Sequence, residues 1–192
     1  RSFGFGKYVI GFVGRLVPEK GIRVLLRALE EFDGDFDLLF VGRGPLETEI
    51  QQWGSVLPSG QRVHLHPSVP HSQIADLMNT MDVFVLPSLT KSFWKEQFGH
   101  ALIEAMACQV AVVGSDSAEI PSVIADAGLV VPEGDPDALR QVLQRLAMDP
   151  DLRHDLAARG RKRVLEKYTH AEIAQKTLEF LRNLVSGGLR GS

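Results

Sequence analysis

The chain has 192 residues, and its 21 basic and 24 acidic residues give a formal net charge of −3 at pH 7. A chain of this length buries about 70% of the surface that its unfolded form exposes, so one substantial domain is expected. The balanced charge argues against nucleic acid as a partner. A single cysteine, Cys108, excludes an intrachain disulfide, and no apolar run approaches the roughly 20 residues that span a bilayer. We expect a cytoplasmic protein.

Short apolar runs alternate along the chain with stretches of helical periodicity, which is typical of parallel strands covered by helices. Strands are predicted at residues 8–14, 37–42, 62–66, 82–87, 111–115 and 128–131. Helices are predicted at about 20–31, 45–54, 71–79, 99–108, 118–125 and 135–148. Charged helices follow from residue 151, with Thr169 as an N-cap and Glu172 at the capping-box position. The sequence therefore predicts a Rossmann-like, three-layer α/β/α domain with about six mostly parallel strands and C-terminal helices.

The domain is predicted to cover residues 1–185, and residues 186–192 are predicted to be a flexible tail or a cloning remnant. The chain begins without a start methionine, a signal peptide or a transit segment. We therefore expect it to be a fragment of a longer protein.

The first loop at the carboxyl edge of the predicted sheet contains Gly14, Arg15 and Lys20. Open sheets of this type bind ligands at that edge. Glycine lets the backbone approach a ligand, the arginine fork suits phosphate oxygens, and lysine adds a point charge. These residues predict a phosphate site, although a tight turn with solvated charges is an alternative. The loop lacks the spacing of a P-loop.

The predicted helix that begins near Gly99 has no Ser, Thr, Asp or Asn at its expected cap position. Its free N–H groups could bind an anion, water or the side chain of Glu96. Glu104 follows within a run of Ala, Leu, Ile and Met, so we expect a buried carboxylate with no local partner. Such a carboxylate needs donors, which sugar hydroxyls or a structural Lys or Arg could supply.

Four stretches carry a resemblance to a known family: GFVGRLVPEKGIRVLLRAL, VGRGPLETEI, DVFVLPS and EQFGHALIEAMACQVAVVGSDSAEIPSVI. Together they resemble the nucleotide-sugar-binding half of the retaining glycosyltransferases of family four, whose GT-B fold has two facing Rossmann-like domains. The resemblance extends to about residue 185 and includes the E-x7-E pair of Glu96 and Glu104. It implies the donor-binding domain of a hexosyltransferase that moves a sugar from a nucleoside-diphosphate sugar to an acceptor hydroxyl, as in polysaccharide biosynthesis.

The resemblance also implies roles for individual residues. Arg15 and Lys20 match the basic pair that holds the donor diphosphate, and Glu96 matches a carboxylate that faces the donor sugar; these three are the predicted catalytic residues. Glu104 matches the residue that accepts hydrogen bonds from the ribose, and Val69 matches a backbone contact to the base. The other implied substrate contacts are Gly14, Gln97, Phe98, Gly99 and Leu102.

Fixed cations at the diphosphate would stabilise the leaving group, so no metal and no cofactor is expected. The resemblance implies that the acceptor site comes from an N-terminal domain absent from this chain, so we expect the fragment to be inactive alone. The full-length protein is expected in the cytoplasm, with any contact to the cytoplasmic face of a membrane made by the absent half. The base, whether of UDP, GDP or ADP, stays open. Two alternatives also stay open: half of a nucleotide-sugar epimerase, and a non-catalytic module that senses nucleotide sugars.

The sequence departs from the family pattern at several positions. Gln109 and Ala118 stand where glycine is common, Ala111 where proline is common and Ser122 where glutamate is common. A left-handed Gln109 would cost about 1 kcal/mol relative to glycine. Trp94 lies in a loop that is longer than usual, and it is expected either to pack as an aromatic lid or to shape the sugar pocket.

Overall fold

The computed structural model of the chain describes residue 6 and residues 8–188, with side chains up to residue 183. A central sheet has six strands: β1 (Val9–Val13), β2 (Phe36–Val41), β3 (Gln61–His66), β4 (Val83–Leu86), β5 (Ala111–Ser115) and β6 (Leu129–Val131). The helices are α1 (Ile22–Glu30), α2 (Glu47–Ser55), α3 (His71–Met78), α4 (His100–Ala107), α5 (Ile120–Ile124), α6 (Pro136–Met148), α7 (Pro150–Lys167) and α8 (His170–Gly188). Residues 189–192 of the predicted tail lie outside the described residues.

The strands are arranged in the order β3-β2-β1-β4-β5-β6, and every described pair is parallel. β1, β2, β4 and β5 are buried along their whole length, as their continuous apolar runs predict. β3 lies at an edge and is partly exposed. Because the chain runs outward from β1 to β3 and then returns to β4, the sheet changes winding direction between β1 and β4. This is the position where open α/β sheets bind their ligands.

The helices bury one face each. In α1 the buried side chains recur at helical spacing, at Ile22, Leu25, Leu26 and Leu29. α1 packs against α6, while α4 packs against α3, α5 and α7. α7 also contacts β5, so the predicted flanking position of the C-terminal helices is confirmed. Thr169 acts as the N-cap of α8, as predicted, because its Oγ1 accepts a hydrogen bond from the backbone N–H of Glu172 at 3.2 Å.

Two residues adopt the left-handed backbone that the sequence indicated. Gln109, directly after α4, has φ = 55°, and Ala118 has φ = 48°. Both replace the glycine that this conformation favours. The left-handed conformation considered for Gln109 is therefore confirmed, and the cost of about 1 kcal/mol stays a prediction.

A buried ion cluster lies at the amino end of β2. Asp37 is 1% exposed, and it accepts hydrogen bonds from Arg62 Nε at 2.8 Å, Arg62 Nη2 at 2.9 Å and the backbone of Gly6. His64 Nε2 lies 2.7 Å from the same carboxylate. Burial by itself raises the pKa of Asp37, but the hydrogen bonds from Arg62 and His64 outweigh it and hold the pKa below its ordinary value.

Among the described residues, none of the helices is both long enough and apolar enough to cross a membrane.

Candidate functional site

The candidate site lies where the loops after β1 and β4 meet. The 3₁₀ turn at Pro18–Lys20 ends at Gly21, which has φ = 71°. A Cβ at Gly21 would lie 1.7 Å from the carbonyl oxygen of Pro87, so only glycine lets the two loops approach this closely. The backbone N–H of Leu89 donates to the carbonyl of Glu19 at 2.8 Å. The two loops are therefore joined backbone to backbone.

Lys20 and Glu96 form the central ion pair of the site. Lys20 Nζ lies 2.5 Å from Glu96 Oε2, and the two side chains are 16% and 11% exposed. Ser88 is fully buried, and its hydroxyl donates to the same Glu96 oxygen at 3.1 Å. The carboxylate thus has two donors, which offsets the cost of its burial. The ammonium of Lys20 carries three N–H groups and uses one of them for Glu96.

Arg15 is the most exposed charge of the first loop. Its side chain is 64% exposed, and Nη2 lies 3.7 Å from Glu19 Oε1. The N–H of the preceding Gly14 donates to the carbonyl of Val41 at 3.0 Å, which ties this loop to the end of β2. The backbone beside Arg15 is therefore fixed by a hydrogen bond, while the guanidinium N–H groups stay accessible to solvent.

The N-terminus of α4 forms another wall. Gly99 is its N-cap, with φ = 68° and ψ = 53°, and no described side chain caps the helix. Exposed N–H groups at a helix start attract anions, although a helix end alone does not define a site. The ring of Phe98 packs edge-on against His100 and Tyr168, with ring centroids 5.2 and 5.8 Å apart. Phe98 thereby anchors the loop that leads into the helix.

These elements enclose a cavity of about 690 Å³, lined by Arg15, Lys20, Trp94, Glu96, Gln97 and Phe98 among others. Four cationic side chains line it, Lys91 and Lys95 being the other two, against the single carboxylate of Glu96. The local charge is therefore positive although the chain carries −3. A polyanion such as a diphosphate is the ligand that this arrangement attracts.

A second cavity of about 340 Å³ lies beside the first, at the ends of β1 and β2. Its walls include Gly14, Val41, Val69 and Ile74, so they are largely apolar. Arg15 lines both cavities. One guanidinium therefore stands at the junction between an apolar compartment and a cationic one.

The family described as Glycosyl transferases group 1 matches residues 3–163 of this chain. The chain belongs to this family. The α-maltose-1-phosphate synthase of Mycolicibacterium smegmatis is 31% identical over 190 residues, which cover 92% of this chain and 48% of that protein. The chain spans about half the length of the curated relatives it matches.

Solved structures give the same fold for this group 1 domain. Sucrose-phosphate synthase from Thermosynechococcus elongatus has a TM-score of 0.79 and 28% identity, covering 94% of this chain and 46% of that one. HepE from Anabaena in complex with UDP-glucose also has a TM-score of 0.79, at 22% identity, covering 93% of this chain and 49% of that one. The predicted α/β class and half of a GT-B fold are thus confirmed.

The structure brings together most of the predicted site residues of the group 1 domain. The first cavity is lined by Arg15, Lys20, Glu96, Gln97 and Phe98, and the second by Gly14, Arg15 and Val69. Gly99 is buried at the start of α4. Leu102 is an exception, because its side chain is fully buried and its N–H donates to the carbonyl of Gly99 at 2.8 Å. The structure does not support Leu102 as a substrate contact.

The environment expected for Glu104 was wrong. Its side chain is 30% exposed, and Oε1 lies 3.6 Å from Nδ1 of His71 on α3. Glu104 therefore has a partner and access to solvent, and its position does not require a ligand. Neither of the two cavities includes it among its lining residues.

Sequence reasoning overlooked Ser88 and the contact of His71 with Glu104. Ser88 lies two residues after the end of β4, at the carboxyl edge, and this position was the signal that could have identified it. His71 opens α3, more than 30 residues before Glu104 in sequence, so no local pattern connects the two. Within the described part of the chain, no group of three or more His, Cys, Asp or Glu side chains could hold a metal ion.

Proposed function

We propose that this group 1 domain binds a nucleoside-diphosphate sugar, and that the complete protein transfers the sugar, with retention of configuration, to an acceptor hydroxyl. The observation that carries the proposal is the arrangement of two adjoining cavities around Arg15. The nucleoside occupies the apolar cavity beside Val69, the diphosphate lies at Arg15 and Lys20, and the sugar extends towards Glu96.

The charges support this orientation. Cleavage of the glycosyl bond leaves growing negative charge on the diphosphate, and fixed cations lower the barrier when they lie where that charge develops. A cation about 4 Å from a phosphate oxygen contributes roughly 4 kcal/mol at an effective dielectric of 20, before desolvation is subtracted. Arg15 and Lys20 supply this stabilisation in the proposed mechanism, and no metal takes part.

Glu96 has the corresponding role on the sugar side. Its carboxylate lies at the wall of the larger cavity, where Ser88 and Lys20 hold it. A carboxylate in this position accepts hydrogen bonds from the hydroxyls of the donor sugar and favours the positive character of the ring in the transition state. Gln97, also on this wall, offers donors and acceptors to the same hydroxyls.

The relatives support a transferase. The matched family consists of glycosyl transferases, and HepE binds UDP-glucose. Because the chain spans about half of its relatives, we propose that a further domain holds the acceptor and that this chain alone does not transfer sugar. We also propose that the complete enzyme acts on the cytoplasmic side of the cell, in polysaccharide biosynthesis.

Calorimetric titration of the chain with UDP, GDP and ADP tests the donor site. At least one nucleotide should bind, and Arg15→Ala should weaken its binding about tenfold, because one charge-assisted phosphate contact is lost. Arg15 is well suited to the test, since its side chain is 64% exposed and its loss should not affect folding. Arg145→Ala, on the exposed face of α6, is the matched control and should bind as the wild type does.

Two results would contradict the proposal. One is that the folded wild-type chain binds none of the three nucleotides. The other is that Arg15→Ala binds with unchanged affinity.

Incubation of the chain with UDP-glucose should release no UDP above background, and steady turnover would contradict the proposed inactivity of the isolated domain.

A further inference from the structure

A short hairpin in the loop after β4 turns Trp94 towards the site. Lys91 and Trp94 form an isolated antiparallel bridge, with N–H to O distances of 2.7 and 3.2 Å. The neighbouring Phe93 is 82% exposed, whereas Trp94 is partly buried. Both aromatic side chains of the hairpin line the cavity, but only Trp94 is partly buried.

The ring of Trp94 contacts the ammonium of Lys20. Lys20 Nζ lies 5.1 Å from the centroid of the indole ring, within the range in which a cation is attracted to an aromatic face. Tryptophan is the strongest partner of this kind among the aromatic side chains. Lys20 is therefore held by Trp94 in addition to the carboxylate of Glu96.

The carboxylate itself is fixed by the ends of two core strands. The hydroxyl of Ser88 donates to Glu96, and the carbonyl of Ser88 accepts from the hydroxyl of Ser115 at 2.6 Å. Both serines are buried. Glu96 thus gives Lys20 a rigid anchor, and Trp94 supplies a second contact from the hairpin.

We propose that Trp94 is a positioning residue of the donor site, which acts through Lys20. A free lysine side chain occupies many rotamers and loses this freedom when it binds a ligand, whereas a held ammonium has lost it already. Glu96 uses one of the three N–H groups of Lys20 and at most one more points at the indole ring, so at least one donor remains for the diphosphate. This inference rests on the proposed function, because it assumes that a diphosphate is the ligand of Lys20.

If Trp94 competes with the ligand for Lys20, removal of its ring should change nucleotide affinity in the opposite direction. If Trp94 and Glu96 only held Lys20 away from the ligand, a diphosphate would have to break both contacts. Removal of the ring would then tighten nucleotide binding. The direction of the change therefore decides between positioning and competition.

Nucleotide titration of three variants makes this test. With whichever of UDP, GDP and ADP binds the wild-type chain, Trp94→Ala should weaken binding about fivefold, the size expected for loss of one cation–π contact. Trp94→Phe retains an aromatic face and should stay within about twofold of the wild type. Phe180→Ala removes an exposed ring on α8 that lines neither cavity, and it should also stay within about twofold. Unchanged or tighter binding by Trp94→Ala, or an equal loss in Phe180→Ala, would overturn the proposal.

Tryptophan fluorescence tests the contact without a ligand. The chain has two tryptophans, so Trp53→Phe leaves Trp94 as the only emitter. In this background, Lys20→Met should change the emission intensity of Trp94, since the ammonium leaves the ring, while Lys162→Met on α7 should not. Identical spectra for Lys20→Met and its parent would rule out the contact. If the wild-type chain binds no nucleotide, the proposed function fails and this spectroscopic result still decides whether Trp94 holds Lys20.

Discussion

Two ion clusters of this domain lie at opposite ends of the same sheet. At the amino end of β2, Asp37 is surrounded by Arg62, His64 and the backbone of Gly6. At the carboxyl edge, Glu96 is paired with Lys20, and both line the larger cavity. The first cluster joins two strands and the entering chain, whereas both members of the second line a cavity. Burial of a charge by itself therefore does not indicate a ligand site, and we expect a ligand only at the cluster that borders a cavity.

Loss of the Asp37 charge should give the largest change in stability. Asp37→Asn should lower the free energy of unfolding by about 3 kcal/mol, because an amide cannot accept from all the donors around this 1% exposed carboxylate. Urea unfolding measures the change. Asp35→Asn, at an exposed position two residues earlier, should stay within about 0.5 kcal/mol of the wild type. An equal loss of stability in the two variants would contradict a special role of the Asp37 charge. A loss of nucleotide binding in Asp37→Asn would contradict a purely structural role of this cluster.

The contribution of the Asp37 cluster to the free energy of unfolding should also be lost at acidic pH. Its pKa in the folded state is lowered below the unfolded value of about 3.9, so the charge stabilises the fold at pH values above about 4. This stabilisation is lost as the pH falls through the folded pKa. The difference in unfolding free energy between wild type and Asp37→Asn should therefore be constant from about pH 5 to 7 and should narrow below about 4. A difference that does not change down to about pH 2.5 would contradict this linkage.

Loss of the Glu96 charge should have a smaller effect on stability than loss of Asp37. Glu96→Gln should lower the free energy of unfolding by about 1.5 kcal/mol, since water in the cavity can solvate the released ammonium of Lys20. Glu166→Gln is the control, because it removes an exposed pair with Lys162 at 3.9 Å and should change stability by less than about 0.5 kcal/mol. A loss in Glu96→Gln as large as that in Asp37→Asn would show that the cavity pair is structural as well.

Relief of backbone strain near the carboxyl edge should give the smallest change. Gln109→Gly should raise the free energy of unfolding by about 1 kcal/mol, because φ = 55° favours glycine. Gln109→Ala keeps the Cβ and should give no such gain. Chemical denaturation of both variants makes the comparison, and equal stabilities would contradict strain as the cause. Nucleotide binding should be unchanged in both.

Much of the fold could be predicted because its signals are local. Four strands lie within the predicted ranges, β2 and β3 each begin one residue earlier than predicted, and Thr169 caps α8 as its spacing indicated. The carboxyl-edge loops followed from strand direction alone, and they placed Arg15, Lys20 and Glu96 correctly at one cavity. The expected burial of Glu104 was wrong because an apolar neighbourhood in sequence was taken for burial in space, whereas a carboxylate on a helix face that meets α3 reaches solvent. Leu102 shows the complementary limit, since its side chain lies in the core and sequence alone did not separate it from its neighbours at the cavity.

The sequence by itself determined the strands, the helices, the glycines of the turns and the residue types at the ligand edge, because each depends on periodicity and backbone preference over a few residues. Only the tertiary structure decided which distant side chains meet. Lys20 and Glu96 are 76 positions apart, and they pair because the sheet order places β1 beside β4. The contact of Lys20 with Trp94 and the hydrogen bond from Ser88 to Glu96 depend on the same strand order. Pairing between strands is set by packing of the whole core, so it is decided only when the chain folds.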